Sequence, residues 1–166
     1  MGDLRIAVVG DTHGKIERIK KSLHLIQIDH MLFTGDYYSD GEKIACFLGI
    51  DFHGVAGNCD PGLPTTKELC LDLAGKSFYI VHGHRYGVKR GLKSLFYRGK
   101  EVGADVVLFG HTHIPFCKKI DNIWMINPGS PSQPRGGQRR SYALLEIKDN
   151  ILSPEIVYLK SKKVNN

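Results

Sequence analysis

Five short apolar runs in this chain end in a tag that pairs glycine with metal-ligand side chains. They are Gly10-Asp11-Thr12-His13, Gly35-Asp36, Gly57-Asn58-Cys59-Asp60, His82-Gly83-His84 and Gly110-His111-Thr112-His113. Asp11, His13, Asp36, Asn58, His82, His111 and His113 offer two carboxylates, four imidazoles and one amide oxygen. A divalent ion of the Mn, Fe or Zn type takes about four to six mixed nitrogen and oxygen ligands. Seven ligands therefore suit two ions that share a carboxylate better than they suit one. In Asp-x-His and His-x-His an extended backbone puts residues i and i+2 on one side, so Asp11 with His13, and His111 with His113, are expected to aim into one site. Glycine beside each ligand allows the sharp turn and close backbone approach that a bound group needs. Each tag alone has an ordinary explanation: Gly-Asp after a strand is commonly a turn or helix cap, and Gly-Asn is a common hairpin turn. Five tags at the same structural position favour a metal site, because the ordinary explanation must account for each separately.

Such a site needs elements to carry it. Leu4 to Val9 is a short branched apolar run stopped by Gly10-Asp11, and it reads as a buried strand. Ile16, Ile19, Leu23 and Ile26, with Lys20 and Lys21 outward, predict an amphipathic helix. Met31 to Phe33 reads as a second strand, Glu42 to Leu48 as a short helix and Phe52 to Val55 as a third strand. That alternation predicts an α/β sheet with parallel neighbours, and in open α/β sheets the ligand site lies outside the carboxyl ends of the strands. The second half is richer in strands: Ser77 to Val81, Asp105 to Phe109, Pro115 to Lys119, Ile123 to Ile126, Tyr142 to Ile147 and Glu155 to Leu159. Val88 to Val102 reads as helical, and Asp121-Asn122 as a hairpin turn. Three prolines and three glycines between Asn127 and Arg140 mark a loop. There is no repeat and no linker, so residues 1–166 are expected to form a single domain.

With 166 residues, 42% of them apolar, the chain can bury a sizeable core, which argues against a disordered chain or a disulfide-stapled scaffold. No apolar run approaches the roughly 18–20 residues of a membrane helix. Lys and Arg number 23 against 17 acids, a net charge of +6 that suits anionic ligands without choosing among them. Cys46, Cys59, Cys70 and Cys117 lack C-x-x-C spacing, so reduced thiols in a cytoplasmic protein are expected. Met1 to Arg5 shows no signal-peptide pattern, and Ile6 stands where myristoylation wants Ser or Thr. Lys160-Ser161-Lys162-Lys163 reads as a solvated tail.

The order of tags resembles the calcineurin-like metallophosphoesterase superfamily. Its Asp-x-His signature stands here as Asp11 and His13, its Gly-Asp…Asp as Gly35, Asp36 and Asp40, and its Gly-Asn-(His/Cys)-(Asp/Glu) as Gly57 to Asp60. His82 and Gly110 to His113 supply the remaining signatures, and Asn127-Pro128-Gly129-Ser130 also looks familial. The compact length and the Gly-Asn-Cys-Asp variant are similar to the small prokaryotic phosphodiesterase branch. The resemblance implies a four-layer α/β/β/α sandwich, two mixed sheets packed face to face and flanked by helices. It implies two divalent metal ions, one held by Asp11, His13, Asp36 and His113, the other by Asp36 as bridge with Asn58, His82 and His111. Manganese is the first choice, with Ni, Fe, Zn and Co as alternatives. It further implies a phosphodiesterase in which a di-metal-bridging hydroxide attacks phosphorus.

Cys59 departs from the many relatives that carry His after the Asn. A thiol offers no positive charge, with an unperturbed pKa of about 8.5, so the change should weaken monoester cleavage and favour a small phosphodiester substrate. A nucleophilic Cys59 is the competing reading. Asn58, Cys59 and His84 are thus the candidate catalytic residues, with His84 the nearest group to act as acid or phosphate contact. Arg85, Lys89, Arg90, Lys93, Arg98 and Lys100 form one basic cluster, in which Arg85, Lys89 and Lys93 would share a helical face. Arg135, Arg139 and Arg140 form another. Nucleic acid could be drawn by such clusters, but a solvated face is the favoured reading, and a nuclease is the weaker enzymatic alternative. A non-catalytic protein-interaction scaffold of the same fold is the alternative from another class, disfavoured because all seven ligand positions are ligand-capable. A homodimer would be unsurprising.

Overall fold

The computed structural model describes residues 3–160, so Met1, Gly2 and Ser161 onward lie outside the described residues. The first sheet is built from β1 (Leu4–Val9), β2 (His30–Phe33), β3 (Asp51–Gly54), β9 (Ser141–Lys148) and β10 (Ile151–Tyr158), in the order β10-β9-β1-β2-β3. β1, β2 and β3 run parallel, with Val9 opposite Phe33 and Phe33 opposite Gly54 at their carboxyl ends. The second sheet comprises β4 (Glu68–Leu73), β5 (Lys76–Val81), β6 (Val106–Leu108), β7 (Phe116–Ile120) and β8 (Ile123–Asn127), in the order β4-β5-β6-β8-β7. Its centre, β5-β6-β8, is parallel, and β4 and β7 flank it antiparallel.

Period-two patterning explains the layering. Ile6, Val8 and Leu32 of one sheet meet Phe78, Ile80, Val106 and Leu108 of the other in a core between the sheets. The alternate residues Ala7, Val9, Met31 and Phe33 face α1 (Glu17–His24) and α2 (Tyr38–Leu48), which contribute Ile19, Leu23, Ile44 and Ala45. On the far side, Tyr79, Val81, Val107 and Met125 pack with Leu95 of α3 (Lys93–Glu101). The result is an α/β/β/α sandwich of two mixed sheets, as expected. Both faces of the central strands are buried, which is why β1, β2 and β6 read as continuous apolar runs.

Several elements differ from expectation. The five tags do not line one open sheet: three end strands of the first sheet and two end strands of the second. β4 was not expected, although Leu69, Leu71 and Leu73 alternate with Glu68, Cys70 and Asp72 as in a half-buried edge strand. The expected helix over Val88 to Val102 is only α3, preceded by a single 3₁₀ turn at His84–Tyr86. Gly87, at φ 61°, turns the chain between them. Arg85, Lys89 and Lys93 therefore share no helical face. α2 begins at Tyr38, earlier than Glu42, and α1 stops at His24, leaving Ile26 beyond the helix and exposed.

Candidate metal centre

The carboxyl ends of β1, β2 and β3 abut those of β5 and β6, and hydrogen bonds within each sheet, with one across the seam, fix the tags. The Asp11 backbone N–H donates to the Gly35 carbonyl (3.0 Å), that of Gly110 to the His82 carbonyl (2.9 Å), and that of His111 to Asp11 Oδ2 (2.9 Å). Asp11, His13, Asp36, His111 and His113 all have positive φ, between 47° and 70°. The two members of each x-spaced pair thus reach the site from left-handed turns, not from the extended backbone expected. Non-glycine residues in this region carry strain of order 1–3 kcal/mol and concentrate at functional sites. Glycine is required where the tags touch: a Cβ on Gly35 (φ 100°) would stand 2.9 Å from both Gly57 N and His82 Nδ1.

Asp11, His13, Asp36 and His113 each present a ligand atom, all within 4.8 Å of one another. His13 Nε2 lies 3.2 Å from His113 Nε2, and His113 Nε2 lies 3.5 Å from Asp11 Oδ1. Beside them, His82 Nε2 is 3.3 Å from Asp36 Oδ2 and 3.0 Å from Asn58 Oδ1. The His111 ring centre is 5.1 Å from that of His82. Asp36 stands between the two groups. The seven sequence-predicted ligands therefore occupy one locality.

The electrostatics combine buried anions with imidazoles, as a cation site requires. Burial, opposed in part by His82, pushes Asp11 up to about 7. Burial would also raise Asp36, but hydrogen bonding and charge from His82, and the Cys59 N–H, hold it below the usual carboxylate range. His82 is raised because the two carboxylates outweigh its burial. Burial lowers His13 and His113, and with the His82 and Lys89 charges it lowers His111 to about 4. Asp11 Oδ1 is buried without a hydrogen-bond partner among the described residues. An orphaned buried carboxylate oxygen is costly, and a divalent ion with this donor set relieves it, so the residues fit the metals that the resemblance implies.

The surroundings orient the ligands. His82 Nδ1 donates to the Thr34 carbonyl (2.9 Å) and His113 Nδ1 to the Gln133 carbonyl (2.7 Å), which turns each Nε2 toward the site. Asp40 Oδ2 accepts from the Thr12 hydroxyl and the Gly14 N–H, both at 2.8 Å. Asp60 accepts from the Tyr38 and Gly57 N–H groups. Ser130 and Ser132 hydroxyls donate to the Asp11 and Thr12 carbonyls at 2.8 and 2.7 Å. The Asn-Pro-Gly-Ser turn signalled Ser130. Thr34 and Gln133 act through backbone carbonyls and leave no sequence signal.

Cys59 lies at the exposed rim, and its backbone N–H donates to Asp36 Oδ1 (2.8 Å). Burial and the Asp36 charge push its thiol up to about 11, which gives no activation to a thiolate nucleophile. The His84 ring centre is 5.3 Å from that of His82 and 6.1 Å from that of His111, and its Nδ1 is buried and unpartnered among the described residues. Burial, then the His82 and Arg85 charges, lower His84, disfavouring its protonated form. Within the basic stretch, Arg98 pairs with Glu101 (3.1 Å) and Lys100 with Asp121 (3.3 Å).

A profile of the calcineurin-like phosphoesterase superfamily domain matches residues 4–150. The probable metallophosphoesterase YsnB of Bacillus subtilis is 32% identical over 149 residues, covering 89% of this chain and 86% of its own. Phosphodiesterase YfcE of Escherichia coli is 27% identical over 168 residues, covering 86% of this chain and 88% of its own. A crystal structure of a predicted phosphoesterase from Streptococcus pneumoniae superposes with a TM-score of 0.81 at 26% identity, covering 95% of this chain and 91% of that one.

Proposed function

The chain belongs to the calcineurin-like phosphoesterase superfamily, and from that premise we propose that it is a metal-dependent phosphodiesterase acting on small diesters. The observation that carries the reading is the buried, unpartnered Asp11 Oδ1 inside the Asp11, His13, Asp36 and His113 cluster. Those four residues would hold one divalent ion, and Asp36, Asn58, His82 and His111 would hold a second. When bound, the ions supply an acidified water for in-line attack on phosphorus and neutralise charge on the phosphoryl oxygens; manganese is the first ion to try, then Ni, Fe, Zn and Co.

The chain's own residues do the rest. Asp36 is shared between the two ligand groups, anchored by the Cys59 N–H. His82 and His113 are held by backbone carbonyls with Nε2 toward the ions. The Asn58 amide oxygen lies beside His82 Nε2, which supports its reading as one of the second group of ligands. Neutral His84 is positioned to donate a hydrogen bond to a phosphoryl oxygen. The absence of a cation at Cys59 leaves little help for a dianionic monoester, which favours diesters. We read residues 1–166 as a single metallophosphoesterase domain. The four free cysteines fit a reducing, cytoplasmic compartment, and no helix among the described residues is long and apolar enough to cross a membrane. The scaffold alternative gains nothing from a site whose seven ligand positions all carry ligand-capable side chains.

The test is hydrolysis of bis-p-nitrophenyl phosphate beside p-nitrophenyl phosphate, using metal-stripped protein re-supplied with each divalent ion. Diester cleavage restored by Mn-like ions, with little monoester turnover, is expected. Silence with every ion at verified occupancy would replace the enzyme reading with the scaffold.

A further inference from the structure

Next to the metal centre lies an apolar pocket of about 490 Å³, walled by Val88, Leu92, Phe109, Ile114 and Phe116. Thr112, which joins His111 to His113, forms part of its lining, so pocket and ligand tag share a stretch of backbone. Two cations complete the lining, Lys89 and Arg135, one from each of the basic clusters seen in the sequence. The Lys89 charge is felt by His111, that of Arg135 by Asp11, His13 and His113, and the Arg135 N–H donates to the His113 carbonyl at 3.2 Å.

Resting on the phosphodiesterase reading, we propose that this pocket receives one ester group of the substrate, and that the group is an apolar ring and not a nucleoside. A phosphoryl group at the metal centre would put its ester substituent within reach of the pocket, with Lys89 and Arg135 attracting the anion. The wall suits a ring: Phe109 and Phe116 meet at a 54° tilt with ring centres 6.3 Å apart. A nucleobase would bring polar edges into this pocket. The Thr112 hydroxyl, the nearest neutral polar group, is already bonded to Asn127 Nδ2 (2.9 Å) and to the Ile114 N–H (3.1 Å). With Lys89 and Arg135 drawn to the phosphoryl anion, base-edge groups would lose water and gain few partners, and such losses discriminate strongly.

The experiment compares binding of methylphosphonate, phenylphosphonate and a thymidine 5′-phosphonate to Zn²⁺-loaded protein, followed by the Val, Leu and Ile methyl resonances. Phenylphosphonate should bind roughly tenfold or more tighter than the other two, the gain expected for burying a ring-sized apolar area. Its shifts should centre on Val88, Leu92 and Ile114. Ile114→Asp, at a position 40% exposed and so tolerant of charge, should bring the phenyl affinity down to that of methyl; Leu92→Gln is the second variant. Equal affinities, a preference for the nucleoside, or a phenyl advantage untouched by both variants would overturn the proposal. Bis-p-nitrophenyl phosphate hydrolysis is measured in parallel. If that alone fails, the phosphodiesterase reading falls while the phosphonate series still decides the pocket.

Discussion

Asp36 joins the two ligand groups: its Oδ1 takes the Cys59 N–H while its Oδ2 faces His82 and, at 3.9 Å, His13. Asp36→Asn keeps the shape and removes the charge that both ion positions need. It should lower diesterase activity by about a thousandfold or more and abolish stoichiometric metal uptake, with the circular dichroism spectrum unchanged; elemental analysis beside the assay checks this. Cys59 contributes a backbone N–H to Asp36 and a neutral thiol to the rim. Cys59→Ala should therefore change diester turnover by less than about tenfold. Cys59→His should raise the monoester-to-diester ratio of kcat/KM, and an unmoved ratio would remove position 59 from contact with substrate.

Among the elements, the strand ends set the precision of the site, because tags from different strands pack against each other's backbone. Gly35→Ala forces a Cβ against Gly57 N and His82 Nδ1 at a φ of 100°. Its cost should be about 1–3 kcal/mol, read from urea midpoints, together with weaker metal binding because His82 is displaced. At the opposite end of β2, His30 Nε2 lies 2.8 Å from His53 Nδ1 on β3, the rings stacked at 7°. Burial and then the His53 charge lower the His30 pKa below its ordinary 6.5. The unfolded chain therefore binds more protons than the folded one in the window from 6.5 down to the depressed value. Stability from this position is fully present above about pH 6.5 and lost as the pH falls below it. Wild type should lose more stability than His30→Leu between pH 7.5 and 5.5, as measured by denaturant midpoints.

For the molecule as a whole, the candidate ligands come from both sheets, so on the proposed reading ion loading and folding should be coupled. An ion bound only by the folded state stabilises it by about 4 kcal/mol at a thousandfold excess over Kd. For a domain of this size that corresponds to roughly 10 °C in Tm. Scanning calorimetry of chelator-stripped and Mn- or Zn-loaded protein should show that gap. Coincident transitions would mean that no ion binds across the seam. The positive net charge acts at this scale too, since Lys89 and Arg135 come from distant parts of the chain and meet beside the centre.

The candidate ligands were legible in the residues alone, since ligand types and glycines are local and recur at the ends of apolar runs. The sequence also determined most strands, because burial on both faces leaves continuous apolar segments. The helix expected over Val88 to Val102 is confined to Lys93–Glu101 because apolar spacing is silent about backbone conformation, and Gly91 inside the expected span has φ 157°. β4 was passed over although its alternation was present. Only the tertiary structure decided that the tags divide between two sheets, since strand order depends on long-range pairing. It alone revealed the left-handed turns that aim Asp11, His13, His111 and His113, and the carbonyls of Thr34 and Gln133 that orient two imidazoles. Backbone groups carry no residue identity, so these contacts, and the pocket beside them, exist only once the chain has folded.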